Sequence, residues 1–475
     1  MILIKIFKGL APVLMLLAVS CKTIQRPIKT ESKVVPISFG SATDTTTSAR
    51  ISWKDYFSDS NLVALIDSAL KKNQEMNITY QEIEILSNEV RARKGEYLPS
   101  VGLGISSGVE KEGRYTRHGS VDENGEILPG KAFPEPLPNY EVAVLASWEV
   151  DIWKKMRNSR KASTLRYLAG KEGRNFLMTN MVAEIANSYY ELLALDNQLE
   201  IIVQNLELQT AALNVVKQQK VAAKLTQLAV NRFEAQLLNT TNRQYEIRQR
   251  IIETENRLSF LTGSFPRGIP RSSIALKDIV LDSILTGIPS QLLANRPDIR
   301  RAELELAAAK LDVKAARANF YPSLRIVGGV GLAAFNLSYL ANPESMLFRL
   351  GGDLIAPLVN RNAIKAQYNS ATARQIQAVY NYERSILKGY VDVVNQLSYV
   401  QNFEKSFETK SQEVEILMQS VTISNSLFRS ARADYLEVLL TQREALDSKM
   451  ELVEIKQRQL SAKVNIYRAL GGGWK

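Results

Sequence analysis

Two hydrophobic periods divide the chain. Over short stretches the residues alternate: Val101, Leu103, Ile105 and Val109 interleave with Gly102, Gly104, Ser106 and Gly108. Tyr140, Val142, Val144, Ala146, Trp148, Val150 and Ile152 oppose Glu141, Ala143, Leu145, Ser147, Glu149 and Asp151. The pattern returns where Leu324, Ile326, Val330 and Leu332 oppose Arg325, Gly329 and Gly331, and where Met346, Phe348, Leu350 and Leu354 oppose Arg349 and Asp353. Successive side chains of a strand point to opposite faces, so each stretch predicts a strand with one oily face and one small or charged face. Such strands suit lipid outside and water inside, and equally a half-buried soluble hairpin.

Elsewhere the apolar residues step by threes and fours. Val182, Ile185, Ala186, Tyr189, Leu192, Leu193, Leu199, Ile202, Val203 and Leu206 form one helical stripe. Proline is absent between Pro138 and Pro266 and after Pro357, and glycine is nearly so, leaving nothing to break a helix. If each stretch folds as a pair of helices of about 60 residues, each helix reaches roughly 90 Å at 1.5 Å per residue. That length predicts coiled coil.

The order of elements occurs twice. Asn73-Gln74-Glu75-Met76, Val90-Arg91-Ala92 and Tyr97-Leu98-Pro99-Ser100 align without a gap on Arg296-Pro297-Asp298-Ile299, Val313-Lys314-Ala315 and Phe320-Tyr321-Pro322-Ser323. Later, Ala223 to Val230 aligns with Ala431 to Val438, and the same shift carries Gly263 onto Gly471. The chain reads as a duplicated unit of helix, strand, loop, strand and long helical hairpin. The first repeat is expected at 61–265, with strands near 98–109 and 139–152. A linker at 266–290 leads to the second repeat at 291–475, with strands near 321–334 and 346–357.

The N-terminus changes the compartment. Lys5 and Lys8 flank an apolar run from Leu10 to Val19, too short to span a bilayer, which needs about 20 residues. Leu17-Ala18-Val19-Ser20-Cys21 resembles a lipobox. Residues 1–20 are therefore expected to be a signal peptide, with Cys21 acylated and 21–60 forming an anchored linker. No later apolar stretch is long enough for a transmembrane helix, so a membrane crossing falls to strands or to the lipid alone. Four strands cannot close a barrel, and an open edge cannot sit in lipid, so the strands must close with those of other chains. Two copies would supply eight strands and three would supply twelve, and only the larger leaves a useful lumen.

Composition removes other classes. The net charge of +11 comes from basic residues spread among acidic ones, as in Glu246-Ile247-Arg248, and an exported chain rarely meets nucleic acid. One cysteine and one histidine, His118, supply no metal cluster, and no nucleophile–base set or phosphate loop is present. We expect no enzyme activity, metal or cofactor.

With the plan assembled, the chain resembles the TolC-like outer-membrane factors, in their lipoprotein (NodT-type) branch. The resemblance rests on Asn295-Arg296-Pro297-Asp298-Ile299-Arg300-Arg301-Ala302-Glu303, Ala315-Ala316-Arg317-Ala318-Asn319-Phe320-Tyr321-Pro322-Ser323, Ser147-Trp148-Glu149-Val150-Asp151, Asp434-Tyr435-Leu436-Glu437-Val438-Leu439 and Ala469-Leu470-Gly471-Gly472-Gly473-Trp474. It implies a mainly α fold with a membrane β-barrel part. Three chains would share a 12-stranded barrel continued by a periplasmic α-helical barrel. It further implies an outer-membrane exit duct with a long periplasmic extension, docked on a periplasmic adaptor and an inner-membrane pump of the RND type. It departs from the family at Ala223 and Ala431, where the hairpin turns usually carry glycine, and at Ala229, where aspartate is frequent.

The resemblance places a gate at the periplasmic turns, with Asp434 as a candidate luminal ring and Arg432, Arg429 and Lys224 as its partners. Adaptor-docking candidates are Ala223, Leu225, Thr226, Leu228, Ala431, Tyr435, Leu436 and Val438. A duct for secreted polypeptide and a lipid-anchored coiled-coil scaffold without a pore stand as alternatives.

Overall fold

The computed structural model describes residues 29–39, 46–271, 276–279, 285–359, 361–430 and 432–474. The expected signal segment, Cys21 and Ala431 lie outside the described residues. Two compact units form. Of the described residues, one gathers 29–30, 85–167 and 304–379, and the other gathers those within 31–84, 168–303 and 380–474.

The first unit is built on a four-stranded antiparallel sheet: β1 (Ser100–Glu110), β4 (Leu137–Val150), β5 (Ser323–Ala334) and β6 (Met346–Ile355), in that order. The register keeps the alternating faces in phase across all four strands. Leu103 sits opposite Val144, Val144 opposite Val330, and Val330 opposite Phe348. A slip of one residue in any strand would turn its apolar set to the wrong face. Between β1 and β4 the expected loop carries structure of its own. A helix α3 (Arg117–Asn124), N-capped by the Thr116 hydroxyl, precedes a small hairpin of β2 (Glu126–Leu128) and β3 (Lys131–Ala132).

The second unit is helical. The preceding helices α1 (Ser60–Lys72) and α2 (Gln74–Glu96) are matched in the second half by α6 (Pro297–Ala318). The hairpins are α4 (Lys155–Val221) with α5 (Gln227–Leu261), and α7 (Asn362–Arg429) with α8 (Tyr435–Ala469). Helices α2, α4, α6 and α7 contribute residues to both units.

The hairpins are not pairs of equal helices near 60 residues: α4 has 67 residues and α5 has 35, and α7 has 68 and α8 has 35. The reason is the turn. Ala223 takes a left-handed conformation (φ 57°), and the Lys224 N–H donates to the Gln219 carbonyl at 2.9 Å, ending α4 as a glycine C-cap would. An alanine there leaves no punctuation in the sequence.

The core of this unit collects Leu62, Ile66, Ile185, Tyr189, Leu192, Leu258, Leu460 and Tyr467 from four helices. Tyr56 stacks on Tyr467 with ring centroids 4.2 Å apart, and the Tyr467 hydroxyl donates to the Ile51 carbonyl at 2.6 Å. Residues of the expected linker at 21–60 thus reach the core. Asp59 caps α1 through the Asn61 and Leu62 N–H groups while accepting from the Tyr189 hydroxyl at 2.8 Å. The linker at 266–290 is also anchored, because Arg271 pairs with both Asp196 and Glu255.

The duplication is visible in how each half closes. The Asn73 amide donates to the carbonyl of Leu261, the last residue of α5, at 2.9 Å. Its counterpart Arg296 donates from Nη1 to the carbonyl of Ala469, the last residue of α8, also at 2.9 Å. Gly263 and Gly471, both at positive φ, lie so close that a Cβ would stand 2.5 Å from the Lys72 oxygen and 2.6 Å from the Asn295 oxygen. Arg296 is buried, and its other nitrogens bind Asp298 and Asp392. Burial would lower its pKa, but the two carboxylates outweigh that and raise it, so the guanidinium stays charged.

Candidate functional site

Each unit carries one candidate surface. In the first it is the sheet. Its apolar face is bare: Leu103, Ile105, Phe348 and Leu350 are 68%, 74%, 84% and 82% exposed. A contiguous apolar face of this size marks contact with a protein or a membrane. Among the described residues both outer strands, β1 and β6, pair on one side only. Strands of 10 to 14 residues meet the span of about 9–11 that a tilted transmembrane strand requires. None of the described helices is long and apolar enough to cross a membrane.

The opposite face is mostly small and polar, with Leu145, Val327 and Leu347 among its residues. Gly102, Gly104, Gly108, Gly329, Gly331 and Gly351 line it, with charges in two layers. Glu141 pairs with Arg349 across the sheet. Near the other strand ends Glu149, Arg325 and Asp353 stand in one cross-strand row, and Lys155 binds Glu149 at 2.5 Å. At that same end the chain turns sharply. Asp151, buried, accepts from the Met156 N–H at 3.1 Å and the Arg157 N–H at 2.9 Å, capping the start of α4, and binds Arg157 Nε at 3.1 Å. Burial pushes the Asp151 carboxyl up, but the hydrogen bonds from Arg157 and Met156 hold it below its ordinary value. Trp153 stacks on Tyr321 and donates to the Pro322 carbonyl, while Trp148 donates to the Tyr97 carbonyl. Four aromatic residues therefore gather at this end of the sheet, as they do at the rim of membrane barrels.

In the second unit the candidate surface is the pair of hairpin turns. An apolar cluster of Leu213, Val216, Ala229, Val230 and Phe233 takes in Leu225 from the first turn and Tyr435 from the second, joining the two. Among the docking candidates, Ala223, Thr226 and Leu228 are exposed, and Leu225, Tyr435 and Leu436 are half-buried. Val438 is buried and lines a cavity of about 520 Å³ between the helices, so it serves the packing of the turns. The gate candidates Asp434, Arg432, Arg429 and Lys224 are all exposed. Within one chain no ion pair joins Asp434 to any of the three cations, so the expected partnership does not form inside a protomer. Half-buried polar contacts between the hairpins were not foreseen: Asn187 meets Asn465 at 3.2 Å, and Arg243 meets Asp447 at 2.6 Å. Single polar residues within helical stripes give no sign of their partners.

Among the described residues no cluster of His, Cys, Asp and Glu could hold a metal ion.

Residues 65–264 and 288–472 match the family model described as outer membrane efflux protein. The pyoverdine export outer membrane protein OpmQ of Pseudomonas putida is 27% identical over 424 residues, covering 89% of this chain and 88% of the relative. The probable outer membrane lipoprotein SilC of Salmonella typhimurium is 26% identical over 426 residues, covering 89% and 88%. The open state of the MtrE outer membrane channel of Neisseria gonorrhoeae superposes with a TM-score of 0.82 at 22% identity, covering 96% of this chain and 99% of that one.

Proposed function

The chain belongs to the outer membrane efflux protein family, and from that premise we propose that it is the exit duct of a tripartite efflux system, three copies closing one barrel. The observation that carries this reading is the sheet with an open apolar face and two unpaired edges. An unpaired strand edge in lipid leaves backbone groups unsatisfied at several kcal/mol each, so each β1 needs the β6 of another copy. Four strands from each of three copies give twelve. The apolar face then meets lipid, and the glycine-rich face with its paired charges meets water.

The two repeats, 61–265 and 291–475, each supply two strands and one helical hairpin to this assembly. Cys21 is the acylated anchor that holds the linker to the outer membrane. Substrates expelled by an inner-membrane pump, of the RND type, enter through a periplasmic adaptor and pass unchanged, since a duct performs no reaction. The turns form the periplasmic gate, with Asp434 in a luminal ring and Arg432, Arg429 and Lys224 as partners across protomers. Ala223, Leu225, Thr226, Leu228, Ala431, Tyr435 and Leu436 meet the adaptor.

Native mass spectrometry of the detergent-extracted protein, followed by planar-bilayer conductance, tests the reading. A conducting trimer whose subunit lacks residues 1–20 and carries acyl mass is the expected result. A detergent-independent monomer without conductance overturns it and leaves a poreless coiled-coil scaffold.

A further inference from the structure

The two hairpin turns carry an excess of positive charge that the chain itself does not neutralise. Lys217, Lys220, Lys224 and Arg232 flank the first turn, and Arg429 and Arg432 flank the second; all six are exposed. Among the described residues none of the six forms an ion pair. Glu234, Asp434 and Glu437 are the acidic residues among them, which leaves a net excess of three positive charges per chain.

Backbone geometry at the turns points the same way. The C-terminal ends of α4 and α7 are closed: the Ala222, Ala223 and Lys224 N–H groups return to Gln218, Lys220 and Gln219, and the Ser430 and Arg432 N–H groups return to Leu427. The N-terminal ends of α5 and α8 are open. Thr226 and Asp434 hold the N-cap positions, and neither side chain caps its helix. At the first turns of α5 and α8 the N-cap side chains leave backbone N–H groups uncapped, at the positive ends of two 35-residue helices. Beside them stand exposed Val221 and Leu228, 87% and 56% accessible, and the small Ala222 and Ala223, which let another backbone approach.

We propose that this surface binds an acidic protein surface, its Asp or Glu side chains pairing with Lys217, Lys220 and Arg232, the turn cations that the gate does not use, beside the uncapped start of α5. The inference rests on the exit-duct reading, and it specifies the adaptor's chemistry: the end of the adaptor that meets these turns carries an excess of carboxylates. The exposed apolar residues between the cations favour a folded protein partner over a purely ionic one.

The test uses the full-length detergent-solubilised protein and fluorescein-labelled poly-L-glutamate, followed by anisotropy at two ionic strengths. Binding is expected to weaken at least about tenfold on going from roughly 50 to 200 mM salt. It is expected to be lost in the triple variant Lys217→Glu, Lys220→Glu, Arg232→Glu, with native mass and conductance showing that variant assembled. The triple variant Lys94→Glu, Lys161→Glu, Lys365→Glu changes charge equally, on exposed residues outside the turns, and is expected to bind like the parent. Equal loss in both variants overturns the proposal, because the whole basic chain is then responsible. Salt-sensitive, turn-dependent binding to phosphatidylglycerol vesicles without binding to poly-L-glutamate also overturns it, in favour of a lipid surface. A conducting trimer that ignores poly-L-glutamate refutes the acidic partner alone, whereas a protein that neither trimerises nor conducts refutes the duct beneath it.

Discussion

Replacing Arg296 by methionine keeps the volume and removes every charge-assisted bond it makes. Three groups lose their donor: the Asp298 carboxylate, the Asp392 carboxylate and the Ala469 carbonyl. Breaking a buried ion pair by removing one partner costs about 3–5 kcal/mol. The stranded carboxylates retain some water, their side chains being 19% and 39% exposed, which lowers the figure. The orphaned carbonyl adds back about 1 kcal/mol. The expected loss is about 2–4 kcal/mol, felt where α8 closes on the start of α6. A membrane protein of this size does not offer a clean two-state melt, so the assay is amide hydrogen exchange by mass spectrometry. At about 1.4 kcal/mol per factor of ten, peptides covering 292–300 and 462–471 should exchange about 30- to 800-fold faster. Peptides covering Asn73 and Leu261 should not change. Arg296→Lys, which keeps the charge but loses the fork, should fall between. Exchange in Arg296→Met within about twofold of the parent would refute the reasoning.

Asn73→Ala should open the first half in the same manner, by about 1–3 kcal/mol, since it removes both the bond to Leu261 and the cap of the Glu75 and Met76 N–H groups; exchange near residues 73–76 reads it out. Gly471→Ala meets the Asn295 oxygen and a disfavoured φ together, so it should loosen the C-terminal closure by at least about 1 kcal/mol in the same measurement. Asp151→Asn should destabilise the start of α4 by about 1–2 kcal/mol at pH 7. The Asp151 pKa is lower folded than unfolded, so its contribution is full above the unfolded value of about 3.9 and is lost as pH falls through the folded one. Parent and variant, compared at matched pH, should therefore converge in amide exchange over 152–160 as the pH falls, and a gap that persists at acid pH would be contrary evidence. Ala223→Gly relieves the left-handed alanine and should stabilise the turn by about 1 kcal/mol, seen as slower exchange over 217–227.

The sheet was legible because its signal is local: a period of two survives in the sequence whatever the partner strand, and the in-phase faces of Leu103, Val144, Val330 and Phe348 follow from it. The helical character was legible from the missing prolines. Helix lengths were not, since Ala223 does by conformation what glycine ordinarily announces by identity. Helix α3 was hidden because eight mostly polar residues carry no apolar stripe, and its cap, Thr116, is an unremarkable residue until the Gly119 N–H is seen to donate to it. The repeat alignment paired Asn73 with Arg296 and Gly263 with Gly471, yet it held no hint that each residue of one pair closes on the other end of its own half. Contacts across 188 and 173 residues leave no periodic trace. At the turns the exposed charges were readable, but whether they pair within the chain was not, and inside one protomer Asp434 forms no ion pair with the three cations assigned to it.

The matched closures of the two halves bear on the order in which the molecule is made. The donor for the first, Asn73, emerges early, and its acceptor Leu261 with Gly263 arrives before any residue of the second repeat. That bond is available while synthesis and translocation are still under way. The pairing of β4 with β5 must wait for Ser323–Ala334, and the Arg296 bond must wait for Ala469 at the end of α8. Biogenesis thus has a built-in sequence: a sealed first hairpin, then a widened sheet, then a final lock whose acceptor is the last residue of α8. A chain cut between Ile355 and Ala469 would carry every strand and lack the second lock, a product for quality control to recognise by its open second half.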